Sequence, residues 1–379
     1  MSLTWAQVKR RIRERTAKVV KHRLFPQATQ QFVERAALRR RRKEGPPQDV
    51  PVEALNDMCW NQWNISPQSM WHAPIHSWKA ASAYFVWLDL GGGRVERVVL
   101  KTAPATPRQY LEAARFPVTP GPPEFWIYNT AAPILSRHLA ECLLATRLEE
   151  RGTFLYVLED LTTDHRKPPE VVGWRPGASH LEDLHAALTA AAERYGDHAL
   201  IKYDRTFSES LLSHGEESLR RLHEITRNAS ALAVLDDWTT VSDLYMSSEF
   251  DLPELHTCVH GDYNTGNVFV AKDDATRVKV VDWEWAGLGL PHMDLASYLR
   301  SAPTDVVKAV LSAHSQRHDS IPASLHGRLF WRCALERSIW DASLFSDHVE
   351  YEPSRYGRLE SAIDRSVSRA LIAIDQLRR

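Results

Sequence analysis

The spacing of apolar residues changes along the chain from a strand rhythm to a helix rhythm. SAYFVWLDL (82–90) reads as a strand, GGGRVE (91–96) as a hairpin turn and RVVLKTA (97–103) as the returning strand. EFWIYNTAAPILSRHLAECLL (124–144) has helical spacing, with Pro133 expected to break or restart the helix. FLYVLEDL (154–161) is a continuous apolar run ending in two acids, predicted as a strand. Helices then dominate. HLEDLHAALTAAAERYG carries apolar residues at 181, 184, 188 and 191 before a glycine stop, and SLRRLHEIT and SAIDRSVSRALIAIDQL behave alike. The predicted layout is a small β-rich lobe, one connecting strand and a larger helical lobe. Inside the helical part, NVFVA (267–271) and RVKVVDW (277–283) flank the polar loop KDDAT, which predicts a β-hairpin among helices.

Composition adds bounds. At 379 residues the chain is long for one core, so two lobes plus appendages are expected. It is 44% hydrophobic and 25% charged, with no apolar run long enough to cross a bilayer and no apolar core of a secretory signal. Cys59, Cys142, Cys258 and Cys333 are far apart and show neither metal-ligand spacing nor a disulfide framework, which fits a reducing cytoplasm. The net charge of −1 hides an asymmetry: positions 1–45 hold 14 Lys/Arg against 3 Asp/Glu. This basic arm has an apolar stripe at Trp5, Val8, Ile12 and Val19 and precedes a Pro-rich linker, GPPQDVP. It reads either as a helix lying on the acidic body or as a contact for an anionic surface or partner. No nucleic-acid-binding signature accompanies it. MCWNQWN and SMWHAP, just after the linker, read as an aromatic core plug.

The stretch CVHGDYNTGNVFVAKDDATRVKVVDW (258–283) carries the candidate chemistry. His260, Asp262 and Asn267 stand at the entry to the predicted hairpin and Asp282 at its exit. Closing the hairpin would bring Asp262, Asn267 and Asp282 to one site. Two carboxylates and an amide are oxygen donors, suited to a hard cation such as Mg²⁺. Mg²⁺ keeps waters and phosphate oxygens in its shell, so a short protein ligand set suffices.

HGDYNTGN resembles the catalytic loop of the aminoglycoside phosphotransferase and choline kinase family, small-molecule relatives of protein kinases. VVDWEWAGLGLPHMDLASYL (280–299) is similar to that family's second signature, with Asp-Trp-Glu in place of Asp-Phe-Gly. Upstream, VVLKTA supplies Lys101, EFWIY supplies Glu124, and LYVLEDL is similar to the hinge strand between lobes. The resemblance covers about 75–300. It implies an α+β, two-lobed protein-kinase-like fold, with a β-rich N-lobe over 51–160 and a helical C-lobe over 161–379; the basic arm and linker, 1–50, lie outside the resemblance. It also implies roles. Asp262 would orient the acceptor hydroxyl and take its proton; Asn267 and Asp282 would hold Mg²⁺; Lys101, held by Glu124, would contact the phosphates of ATP or another nucleoside triphosphate. Backbone groups around Glu159, Asp160 and Leu161 would bind the adenine edge, and His260 would brace the loop. Asp294 is expected to cap a helix or brace the same loop. HSWKAASAYFVW departs from the protein-kinase pattern, since it lacks the glycines that would cover the phosphates.

The resemblance further implies a small polar acceptor, often cationic. Candidate acids are Asp236, Asp237, Asp243, Glu249 and Asp251 before the loop and Asp341, Asp347, Glu350 and Glu352 after it, with Trp283, Trp285, Trp340 and Phe345 as flat walls. Two alternatives are a kinase acting on a peptide or other macromolecule gripped by the basic arm, and a nucleotide-binding pseudokinase.

Overall fold

The computed structural model describes residues 43–47, 50–75, 82–104, 123–168, 173–316, 322–351 and 356–379. The basic arm before Lys43 and the glycine-free segment 76–81 lie outside the described residues, as does Glu352. The described residues divide into two compact units, one ending at Leu100 and the other beginning at Lys101.

In the first unit, strand β1 (Lys43–Glu44) is followed by helix α1 (Val52–Trp63), strand β2 (Ser69–Pro74), strand β3 (Ser82–Asp89) and the start of β4 (Val95–Pro104). β1 pairs with β2 and β2 with β3, all antiparallel, with Trp71 opposite Trp87. The β3–β4 turn falls on the triple glycine as predicted: Gly91, Gly92 and Gly93 all have positive φ, which a side chain would resist. The tryptophan-rich stretch is not a core plug throughout. Met58 and Cys59 of α1 are buried, whereas Trp60 is 56% exposed and Trp63 lies under the Arg94 guanidinium. SMWHAP forms β2, a strand that the sequence reading missed.

The second unit begins with the end of β4. Helix α2 (Pro123–Trp126) passes through a π turn (Ile127–Ala131) into helix α3 (Ala132–Leu135). The helix predicted over 124–144 therefore stops at Leu135, and Cys142–Leu148 forms strand β5, antiparallel to β6 (Thr153–Glu159). Leu and Ala in CLLATRL favour a helix locally; pairing with the buried apolar strand β6 overrides them. Strand β7 (His165–Arg166) and helix α4 (Arg175–Tyr195) follow. The buried residues of α4 include Leu181, Leu184, Leu188 and Ala191, the predicted stripe.

Next come β8 (Ile201–Lys202), α5 (Arg205–Thr226), α6 (Ala229–Asp236) and α7 (Trp238–Tyr245). Asp204 caps α5 through the Phe207 amide at 3.0 Å, and Asn228 caps α6 through Ala231 at 2.9 Å. Strand β9 (Thr257–Val259) leads to the predicted hairpin, β10 (Val268–Ala271) and β11 (Val278–Val280), registered Val268 opposite Val280. All four β10 side chains are buried, and β7 pairs on its other edge. Strand β12 (Gly287–Gly289), helices α8 (His292–Tyr298) and α9 (Thr304–Ser315), and two long helices, α10 (Ala323–Tyr351) and α11 (Tyr356–Arg378), complete the unit. No helix among the described residues is long and apolar enough to cross a membrane.

Candidate active site

Hairpin closure does what the spacing predicts. The Val281 amide donates to the Asn267 carbonyl at 3.0 Å, so Asp282 follows directly on the residue that faces Asn267. The Asn267 side-chain amide donates to the Asp262 carbonyl at 3.0 Å and to Asp262 Oδ2 at 2.9 Å. With its NH₂ turned to Asp262, Asn267 has its amide oxygen as the end suited to a cation. Asp282 is one of three non-glycine described residues with positive φ, at 70°. Such a backbone persists only where its surroundings fix it, often where a side chain must be aimed.

Lys101, at the end of β4, reaches its predicted partner Glu124 and also Asp282. Its Nζ lies 2.5 Å from Glu124 Oε2 and 2.7 Å from Asp282 Oδ1. Burial works to lower the Lys101 pKa, but Asp282 and Glu124 together outweigh it and hold the ammonium charged well above the ordinary lysine range. Burial pushes Glu124 up to about 7 against the pull of Lys101. Its second oxygen, Oε1, is buried without a hydrogen-bond partner. Asp282 remains 29% exposed, in keeping with a carboxylate that can take a further positive charge.

His260 is wholly buried and both ring nitrogens meet backbone. Nδ1 accepts from the Asp262 amide at 3.2 Å, which makes Nε2 the protonated nitrogen, donating to the Val281 carbonyl at 3.1 Å. Burial lowers its pKa, consistent with this neutral tautomer. The ring therefore ties the loop to the hairpin exit. Asp294, the third residue of α8, accepts from the amides of His260 at 2.7 Å and Gly261 at 2.9 Å, and from His185 Nε2 at 2.9 Å. It braces the loop and does not cap its helix. Gly261 has φ +77°, and a Cβ there would stand 2.0 Å from the Trp285 carbonyl oxygen, so only glycine fits.

The hinge side chains are engaged within the protein. Glu159 pairs with Lys279 and accepts from the Glu141 amide at 2.8 Å; Asp160 Oδ1 accepts from the Thr162 amide at 3.0 Å and hydroxyl at 2.7 Å; Leu161 is buried. Backbone groups are thus what this segment offers a ligand.

Three features escaped the sequence reading. Arg337 on α10 places Nη1 2.8 Å from Asp262 Oδ1 and Nη2 2.9 Å from Asp341 Oδ1. Nothing within a helical register distinguishes it from its neighbours. Lys167 bonds to the Gly266 carbonyl and sits 4.4 Å from the Phe269 ring centroid; burial of its ammonium lowers its pKa to about 8, against the pull of Asp282. The third is a one-way hydrogen-bond relay. Arg137 Nε donates to His138 Nε2 at 2.9 Å, leaving His138 Nδ1 to donate to His180 Nε2 at 2.7 Å. His180 Nδ1 then donates to the Tyr263 oxygen at 3.1 Å, whose hydroxyl donates to the Gly177 carbonyl at 2.9 Å. Burial, with Arg137 adding to it, lowers His138 to about 4; burial, with His138 adding to it, lowers His180 to about 3.

Two readings of the acceptor region change. Trp283 is fully buried against His260, with ring centroids 4.4 Å apart, and Trp285 and Trp340 pack edge to face at 4.4 Å, 5% and 4% exposed. They are core, since large aromatics cover the underside of the loop. Several of the candidate acids are matched by arginines: Asp341 by Arg337 and Arg300, Asp347 by Arg221, Asp237 by Arg378, and Glu249 by Arg328.

A family model described as the phosphotransferase enzyme family matches residues 74–327. No curated protein matches the chain by sequence. Among solved structures, the chain is similar to a thermostable mutant of the aminoglycoside phosphotransferase APH(4)-Ia in ternary complex with ADP and hygromycin B. Identity is 14%, coverage 85% of this chain and 98% of that one, and the TM-score 0.52. A candidate aminoglycoside phosphotransferase from Ralstonia eutropha gives 14% identity, 86% and 98% coverage and a TM-score of 0.57. The GDP complex of an aminoglycoside 2′-phosphotransferase-IIIa mutant gives 12% identity, 86% and 97% coverage and a TM-score of 0.50. At these identities the likeness is one of fold: α+β, two-lobed and kinase-like.

Proposed function

The chain belongs to the phosphotransferase enzyme family; from that premise we propose that it moves the γ-phosphate of ATP to a hydroxyl of a small polar acceptor bearing an amine, such as an amino sugar or amino alcohol. One observation carries this reading: Lys101 bonds at once to Glu124 and to Asp282, which lies 181 residues downstream. Phosphoryl transfer needs positioning and neutralisation more than covalent participation, and the described residues divide those tasks.

Asp262 would accept the acceptor's proton through Oδ2, with Asn267 and Arg337 fixing the carboxylate. Asp282 and the amide oxygen of Asn267 form an oxygen donor set that fits Mg²⁺. When bound, Mg²⁺ would neutralise charge that develops on the phosphates. Lys101 would meet the phosphates and Lys167 would add a second positive charge beside the loop. Backbone of Glu159–Leu161 would take the adenine edge. The solved aminoglycoside phosphotransferase binds ADP and hygromycin B, which supports a nucleotide and an amine-bearing acceptor for this chain. The arginine pairing of Asp341 and Asp347 narrows the acids that could receive that amine, and favours an acceptor with few positive charges.

A screen of ATP consumption against aminoglycosides, amino sugars, choline-like alcohols, neutral sugars and basic peptides tests the proposal. Turnover on a small amine-bearing alcohol, retained after deletion of residues 1–45, is the expected result. Turnover confined to peptides and lost with the deletion would overturn it.

A further inference from the structure

We propose that His292, His314 and His326 form a transition-metal site of the zinc class, separate from the nucleotide site. The three come from three helices, α8, α9 and α10, and one ring nitrogen of each lies within 4.8 Å of the others. His292 and His326 are 1% exposed and the His314 side chain 11%. Ring centroids are 5.8 Å apart for His292–His314, 5.2 Å for His292–His326 and 5.6 Å for His314–His326, a nearly equilateral triangle. The rings stand at 87°, 49° and 81° to one another, so they do not stack.

Zinc–imidazole bonds of about 2.0–2.1 Å put each ring centroid about 3.2 Å from the metal, and tetrahedral angles then separate the centroids by about 5.2 Å. The observed separations of 5.2, 5.6 and 5.8 Å run from that spacing to slightly above it. His292 Nε2 lies 3.0 Å from His326 Nδ1, near the distance of about 3.4 Å between two nitrogens on one tetrahedral zinc. That pair would part slightly, and the three nitrogens, which lie within 4.8 Å of one another, would draw together around the ion. Glu182 Oε1 on α4 lies 3.8 Å from His314 Nδ1, close enough for a small shift to make it the outer carboxylate that metal-bound histidines commonly have. Three imidazoles with no acid inside the triangle suit zinc, cobalt, nickel or copper and not magnesium or calcium.

The consequence is mechanical. The ion would pin α8 to α9 and α10, and α8 carries Asp294, which holds the amides of His260 and Gly261. Metal at this site would therefore steady the loop that bears Asp262 without touching substrate.

The test uses the full chain, stripped of metal with a chelator and titrated with Co²⁺ in the absence of nucleotide. We expect one equivalent to bind with the visible d–d absorption of a nitrogen-ligated tetrahedral ion, Zn²⁺ to displace it, and Zn²⁺ to raise Tm by several degrees. His314→Gln, the most exposed ligand and the least disruptive change, should abolish the absorption while keeping the far-ultraviolet circular dichroism of the wild type. His326→Asn should do the same, and Asp282→Asn should retain full Co²⁺ binding. Absence of stoichiometric d–d bands in the wild type, or equal bands in His314→Gln, would overturn the site.

Discussion

Arg337 and Asp262 form an ion pair of 2.8 Å between the middle of the long helix α10 and the turn that opens the hairpin. Both side chains are about nine-tenths buried, and the same guanidinium holds Asp341. One arginine thus sets the position of the proposed base and couples it to the helical core. Replacing it with methionine takes the guanidinium from buried Asp262 and leaves Asp341 with Arg300 alone, at 3.3 Å. Loss of one member of such a buried set costs about 3–5 kcal/mol. We expect Arg337→Met to lower Tm markedly and kcat by tenfold or more, with nucleotide KM little changed, and Arg337→Lys to restore part of both. Steady-state kinetics with thermal melts on the two variants checks this.

Lys101 and Glu124 should separate by pH. With the Glu124 carboxyl at about 7, acidification below that value protonates it and loosens its hold on Lys101, whose own charge does not change. The acid limb of kcat/KM for nucleotide should fall below pH 7 and flatten in Glu124→Gln. Lys101→Met should instead raise nucleotide KM and cut kcat at every pH, by about 100-fold or more for a lost phosphate contact. An unchanged acid limb in Glu124→Gln would remove this carboxyl from the profile.

The relay from Arg137 to Tyr263 predicts acid sensitivity of the fold itself. His138 and His180 have native values of about 4 and about 3, below the ordinary histidine value near 6.5. Their neutral forms are favoured by the native state, so this stability is present in full above pH 6.5 and is lost as pH falls from 6.5 toward 4. At pH 5 the loss is on the order of 2 kcal/mol per ring. Urea melts at pH 7.5 and 5.0 should show it, and His180→Phe should reduce the difference between them.

Asp294 holds three buried donors, and Gly261 fills a place that no side chain can occupy. Asp294→Ala should destabilise the protein by about 3 kcal/mol or more, since hydrogen bonds to a buried charge are each worth about 1.5–3 kcal/mol. Gly261→Ala should be worse, because the Cβ meets backbone at 2.0 Å. Tm of the two variants, measured beside Gly327→Ala, where a Cβ meets nothing within 4 Å, gives the comparison.

What could be read in advance follows from the range of the interactions. The Asp262–Asn267 contact, and the place of Asp282 one residue past the Val281–Asn267 pair, were legible because a short hairpin converts fixed spacing into neighbourhood. Lys101 and Glu124 were legible through the order of motifs. Strand β5 was not, since its Leu and Ala residues take their conformation from β6. Arg337, the His138–His180 pair and Lys167 depend on long-range packing that leaves no local pattern. The exposure of Trp283 and Trp285 is likewise decided at long range, by His260 against the first and by Trp340 of α10 against the second.

The central claim is that Asp262 handles the acceptor proton while Asp282 and Asn267 serve the metal–nucleotide complex. Nucleotide affinity and turnover measured in parallel on Asp262→Ala and Asp282→Asn test it most directly. Asp262→Ala should bind Mg·ATP within a fewfold of wild type yet lose turnover by at least about 1,000-fold, while Asp282→Asn should lose Mg²⁺-dependent binding itself. Wild-type turnover in Asp262→Ala would contradict the account.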